Sequence, residues 1–192
     1  MFSKFQKNKS SINFLKNIIF TSFLLFTFYP NSPNALNAGL EFQWDSSDNF
    51  KRLKWFQKDD KKSAKNKIFF FLRASDRKTG LIKVSLKVPD LFLKKIKKEK
   101  INFCQVQIGG YTKRSKCLKN ISTEIEIDKK NQSIDIFPTS PIPSDKDNYA
   151  IVLNVVNPNR GGLYQFHAFG QSSGNIPVSF YLGSWTLKMQ SQ

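Results

Sequence analysis

YAIVLNVVNPNRGGLYQFHAFGQSSGNIPVSFYLGSWTLKM, residues 149–189, is the stretch whose reading decides the fold class. Residues 149–157 (YAIVLNVVN) are apolar on both faces, as a central strand is. NPNRGG (157–162) carries the residues of a turn, and LYQFHAFG (163–170) reads as the hairpin partner of 149–157, with Tyr164, Phe166 and Ala168 alternating against Gln165 and His167. QSSGN (171–175) is a second turn. IPVSFYLGSWTLKM (176–189) then closes the domain, with Tyr181, Trp185 and Leu187 on one core-facing side. Gaps this short leave no room for the crossover of a dozen or more residues that parallel strands require. The strands are therefore antiparallel.

Upstream the same pattern recurs. LIKVSLKV (81–88) sets Ile82, Val84, Leu86 and Val88 against Lys83, Ser85 and Lys87. IFFFLR (68–73) is a fully buried strand joined to it by SDRKTG (75–80), so the two are predicted to form a hairpin. NFCQVQIGG (102–110) places Cys104, Val106 and Ile108 on one face. TEIEID (123–128) and SIDIF (133–137) form a short hairpin, and Leu40, Phe42 and Trp44 alternate in a further strand. Pro138, Pro141 and Pro143 mark a stiff loop that cannot be an interior strand. Residues 45–66 read as a long polar connection with one short element pinned to the core. Pro89–Lys100 is the one helical stretch, either a basic amphipathic helix suited to a membrane surface or a single polar turn capping the domain. The expectation is an all-β chain: one antiparallel β-sandwich, immunoglobulin-like, of eight or nine strands with at most one short helix.

GLEFQWDSSDNFKRLKWFQ (39–57), FFFLRASDRKTGLIKVSLKVP (69–89), CQVQIGG (104–110), SIDIFPTSPIPSDKDNYAIVLNVVNPNRGGLYQFHAFGQ (133–171) and PVSFYLGSW (177–185) together resemble a family of small secreted cyanobacterial domains of unknown function. The resemblance spans nearly all of the chain after residue 38. It implies export and a compact β fold, and no activity.

Residues 1–38 read as a signal peptide. Lys4, Lys7, Lys9 and Lys16 form a basic start with no acidic residue, Ile18–Tyr29 is an apolar run of 12, and small residues follow, with the expected cut after Ala38. A membrane-spanning helix needs about 20 apolar residues, so no span is expected once the leader is gone. The single domain is then 39–192. Of 31 basic residues four lie in the leader, and setting the other 27 against 14 acidic ones leaves +13. Only five basic residues are Arg (52, 73, 77, 114 and 160), while Lys travels with abundant Asn, Ile and Phe, as A/T-rich coding alone produces. Nucleic acid is not the expected partner, because the bidentate phosphate ligand Arg is scarce. Anionic envelope polymers or lipid headgroups are.

Cys104 and Cys117 are the only cysteines, and an exported chain is expected to join them. With His167 the only histidine, the chain lacks the four ligands of a structural zinc site, and no metal or cofactor is expected. Gly170–Gly174 (GQSSG) matches the G-x-S-x-G pattern of hydrolase nucleophiles. That chemistry needs a strand before Ser172 and a helix after it, with a histidine downstream. Here another strand follows and His167 precedes. The acidic residues lie scattered among lysines in turns, which makes no carboxylate pair. The expected function is a non-enzymatic binding or structural module of the cell envelope, in the periplasm, on the outer surface or in the thylakoid lumen. The alternative is a carbohydrate-binding domain using exposed aromatics, for which Trp55, beside Lys54 and Phe56, is the expected ligand contact.

Overall fold

The computed structural model describes residues 51–172 and 178–190, where the alternation resolves into ten strands in two antiparallel five-stranded sheets. The first sheet runs in the order β1 (Trp55–Gln57), β2 (Lys65–Leu72), β8 (Tyr149–Val156), β4 (Ile101–Gln107), β5 (Lys116–Asn120). The second runs β10 (Ser179–Met189), β9 (Gly162–Ser172), β3 (Leu81–Lys87), β7 (Ser133–Pro138), β6 (Thr123–Asp128). This is the two-sheet sandwich architecture of immunoglobulin-like domains, with its own strand order. The leader, its cut and the strand expected at 40–44 lie outside the described residues. β1 is the short element expected within 45–66, and β5 is the strand the pattern did not announce.

Side chains from the two inner faces meet in one core. Phe70 packs against Phe166 and Trp185 at ring distances of 4.7 and 4.8 Å, and Phe103 stacks on Tyr149 at 5.7 Å. The helical stretch shrinks to one turn, α1 (Asp90–Leu93), and a short 3-10 turn at Lys98–Lys100. Phe92, Leu93 and Ile96 are buried in the core, with Phe92 5.1 Å from both Tyr164 and Phe166. The segment plugs the sandwich instead of offering an amphipathic face.

Two expected hairpins are corrected. IFFFLR and LIKVSLKV are β2 and β3, which lie in different sheets, β2 pairing with β1 and β8, β3 with β7 and β9. The link between them is no tight turn. It holds a 3-10 turn at Ala74–Asp76 and the buried Arg77, which donates to the carbonyls of Pro143, Lys146 and Asp147. YAIVLNVVN and LYQFHAFG are likewise β8 and β9 of opposite sheets. The 157–162 link crosses between layers because buried Asn157 anchors it, donating to the carbonyls of Asp59 and Lys61 and accepting from Asn66. Four pairs of neighbouring strands do form hairpins: β1 with β2, β4 with β5, β6 with β7 and β9 with β10. In β10 an extra residue between Tyr181 and Gly183 shifts the register, so Tyr181 turns outward while Trp185 and Leu187 stay buried. Strict alternation had put all three on one side.

Between the sheets runs a strap. Arg52 bridges Ser184 in parallel, with Leu53 N–H donating to the Ser184 carbonyl and Ser184 N–H to the Lys51 carbonyl, both at 2.8 Å. Two residues later the same chain becomes β1 of the first sheet. The Lys54 carbonyl accepts from Phe71 N–H of that sheet and from Trp185 Nε1 of the other. Gly183 permits the approach: its φ is +144°, and a Cβ there would lie 2.6 Å from Leu53 Cγ and 2.7 Å from the Lys51 carbonyl oxygen.

Candidate functional site: a cationic groove

β2 and β8 are apolar on both faces, so a second cluster forms on the outer face of the first sheet, from Phe69, Phe71, Cys104, Val106, Ala150 and Val152. At one end of that face the strap, the ends of β2 and β4 and the loop at 113–115 enclose a groove of about 640 Å³. Its apolar lining includes buried Phe71 and half-buried Ile108, and Phe56 is 45% exposed beside them. Arg52, Lys54, Arg73, Lys113 and Arg114 supply five cations, and among the described residues no acidic side chain is in the lining. Three of the chain's five arginines thus converge here. Of the others, Arg77 is buried holding carbonyls and Arg160 is exposed in the 157–162 link.

The cations differ in availability. Arg73 is committed: its Nε and Nη2 donate to Asp76 at 3.0 and 2.8 Å, and that hydrogen bonding holds the guanidinium pKa above its ordinary value. Burial pushes the Asp76 carboxyl up, but Arg73's hydrogen bonds and the charges of Arg73 and Lys51 outweigh it, leaving Asp76 below the usual value. Arg52, Lys54, Lys113 and Arg114 are exposed, and among the described residues none has an ion-pair partner.

The loop wall is shaped by two glycines. Gly110 N–H donates to the Lys113 carbonyl and Gly109 N–H to Ser115 Oγ, both at 2.9 Å. A Cβ on Gly109 would lie 2.4 Å from the Lys113 oxygen, so only glycine lets the loop fold back this tightly. Just beyond, Cys117 meets Cys104 at disulfide distance, with Sγ atoms 2.04 Å and Cα atoms 5.7 Å apart. Cys104 is fully buried in the outer cluster, which ties β5 and the loop before it to the sheet.

Trp55 lines the groove, half-buried, with part of its ring against the main core. Sequence reading missed the rest of the lining because it joins residues more than 50 positions apart. The available signal was two Lys/Arg clusters, KRLK at 51–54 and KRSK at 113–116, each carrying an arginine in a lysine-dominated chain.

Ser172 ends β9, and the chain returns as antiparallel β10, with Ser179 opposite Gln171. That hairpin setting differs from the strand-to-helix turn of a hydrolase nucleophile. His167 is half-buried and its Nδ1 is 2.7 Å from Ser184 Oγ, which also contacts Tyr181 Oη at 2.6 Å. Ser184 is fully buried, and the strap pairs with its backbone. Burial lowers the His167 pKa. Among the described residues no group of three or more His, Cys, Asp or Glu could hold a metal ion.

A two-sheet sandwich with a cationic groove defines a class of module found with many functions. Residues 42–189 match the DUF2808 family, proteins of unknown function, and the chain belongs to it. No curated protein matches it in sequence. Among solved structures it is similar to BslA, a bacterial hydrophobin, at 13% identity and TM-score 0.47, covering 74% of this chain and 97% of that one. It is also similar to the collagen-binding domain of a Staphylococcus aureus adhesin, at 12% identity and TM-score 0.38, covering 71% and 97%.

Proposed function

We propose that this chain is an exported, non-enzymatic binding module of the cell envelope, in the periplasm, on the outer surface or in the thylakoid lumen, whose groove holds an anionic envelope component. One observation carries the reading: among the described residues, three of the chain's five arginines and two lysines line a groove with no acidic lining residue. A/T-rich coding accounts for scattered lysines. It does not account for the convergence of the rarer residue, whose planar fork grips sulfate, carboxylate or phosphate with two donors. Acidic polysaccharides and lipid headgroups both present such groups.

The test is a titration of the protein with dextran sulfate at low and high salt. Exposed charges are screened over about 8 Å at physiological ionic strength, so affinity should fall steeply with salt. Arg52→Gln with Arg114→Gln should weaken binding roughly 100-fold or more at low salt, since charge-assisted hydrogen bonds contribute ~1.5–3 kcal/mol each. Unchanged affinity in that double variant would remove the groove from the reading. Carbohydrate recognition through aromatics is the second reading, supported by Trp55 at the groove. It predicts salt-insensitive binding to neutral glycan that Trp55→Ala abolishes.

A further inference from the structure

We infer that the anionic component is a lipid surface, and that the groove end of the sandwich docks on an anionic bilayer through Tyr111 and Phe56 framed by Arg52, Lys54, Lys113 and Arg114. The inference rests on the anionic-ligand reading above and narrows it to one partner. An acidic polysaccharide is held mainly through its anionic groups and flat sugar faces, whereas a bilayer also takes apolar side chains inserted at its headgroup boundary. This groove has buried Phe71 and half-buried Ile108 in its lining, exposed Phe56 beside its cations, and exposed Tyr111 in the loop that supplies Lys113 and Arg114.

Tyr111 is fully exposed in the 109–115 loop, two residues before Lys113 and three before Arg114. The loop's own hydrogen bonds and the Gly109 close approach set its shape before any partner arrives, which lowers the entropy lost on docking. A tyrosine ring is apolar with a polar tip and suits the headgroup boundary. Phe56 offers its exposed part from the facing wall. Lysine and arginine around them match the negative surface of a bilayer rich in acidic lipids, where each basic residue near the surface contributes about a fivefold gain in binding. No step of chemistry is implied, only adsorption of one end of a rigid sandwich.

The assay is co-sedimentation of the exported protein, residues 39–192, with vesicles of phosphatidylcholine, with or without phosphatidylglycerol, alongside the dextran sulfate titration. Binding is expected to the anionic vesicles only. Arg52→Gln with Arg114→Gln should lower it roughly 30-fold, and Tyr111→Ser about tenfold, with melting temperature unchanged because all three side chains are exposed. Lys129→Gln with Lys130→Gln, an equal charge change in the exposed β6–β7 turn, should leave vesicle binding within about twofold if the charges act locally. Salt-sensitive binding to dextran sulfate without vesicle binding would overturn the lipid inference and leave the anionic reading standing. Binding to neither would overturn both. Vesicle binding that ignores Tyr111→Ser, or that falls equally with the two charge variants, would overturn the docking surface.

Discussion

Gly183→Ala tests how the sandwich is closed at its strap edge. The added methyl meets Leu53 Cγ at 2.6 Å and the Lys51 carbonyl at 2.7 Å, and the residue's φ of +144° is one that alanine rarely adopts. Relief requires the strap to back away, which puts at risk the two 2.8 Å bonds it makes with Ser184, worth ~1 kcal/mol each. It also lifts part of fully buried Leu53 out of the core, at roughly 1 kcal/mol of the 1.5–3 available to such a side chain. Backbone strain adds about 1–3 kcal/mol. The total of about 4–6 kcal/mol is a large share of the 5–15 that hold a domain together and corresponds to a fall in Tm of roughly 10–20 °C. Thermal unfolding followed by near-ultraviolet circular dichroism reads it, since Trp185 lies under the strap. In a Leu53→Ala background the nearest clash is gone, so Gly183→Ala should cost visibly less there, a non-additivity expected of residues in contact. A Gly183→Ala variant melting within about 2 °C of the parent would refute the reasoning.

Replacing Cys104 and Cys117 by Ser opens a loop with a sequence separation of 13 and should cost about 3 kcal/mol, while thiol titration of the folded parent should find no free thiol. Burial lowers the folded-state pKa of His167 below 6.5, so the unfolded chain takes up the proton first as pH falls. Stability is therefore complete above about pH 6.5, declines below it, and levels off beneath the folded-state value. His167→Gln should flatten that slope in denaturant midpoints, and Asp76, with a pKa lowered from 3.8, loses its contribution only at more acid pH. N-terminal sequencing of exported protein should begin at Gly39.

The fold class was legible because alternation and turn residues are local. Which strands pair was not. β2 and β3 are separated by a segment with turn chemistry, yet buried Arg77 binds carbonyls some 70 residues away and turns that segment into a crossing between layers. The 157–162 link follows the same logic through Asn157. Tyr181 was misplaced because a single extra residue inverts every side chain beyond it. The groove was invisible for the same non-local reason. Trp55 was singled out for being aromatic in a basic stretch, but the Gly109–Ser115 loop that faces it becomes a wall only once β4 and β5 pair.

The phenylalanine run in β2 has a consequence for how the chain finds its own alignment. Phe69, Phe70 and Phe71 are nearly interchangeable in greasiness, so sliding β2 by one residue against β8 would still offer the Phe166–Trp185 cavity a phenyl ring. Hydrophobicity alone therefore cannot choose the frame. The polar end of the strand does: Asn66 is buried, takes Lys58 N–H and Asp59 N–H on its carbonyl, and gives its amide to Asn157. A slip in either direction would drive the charged head of Lys65 or Lys67 into that niche and leave these donors unanswered, at several kcal/mol. Asn66 thus acts as a vernier mark for the greasiest strand in the protein, and Asn66→Leu should yield chains that collapse as readily as the parent but settle into more than one alignment.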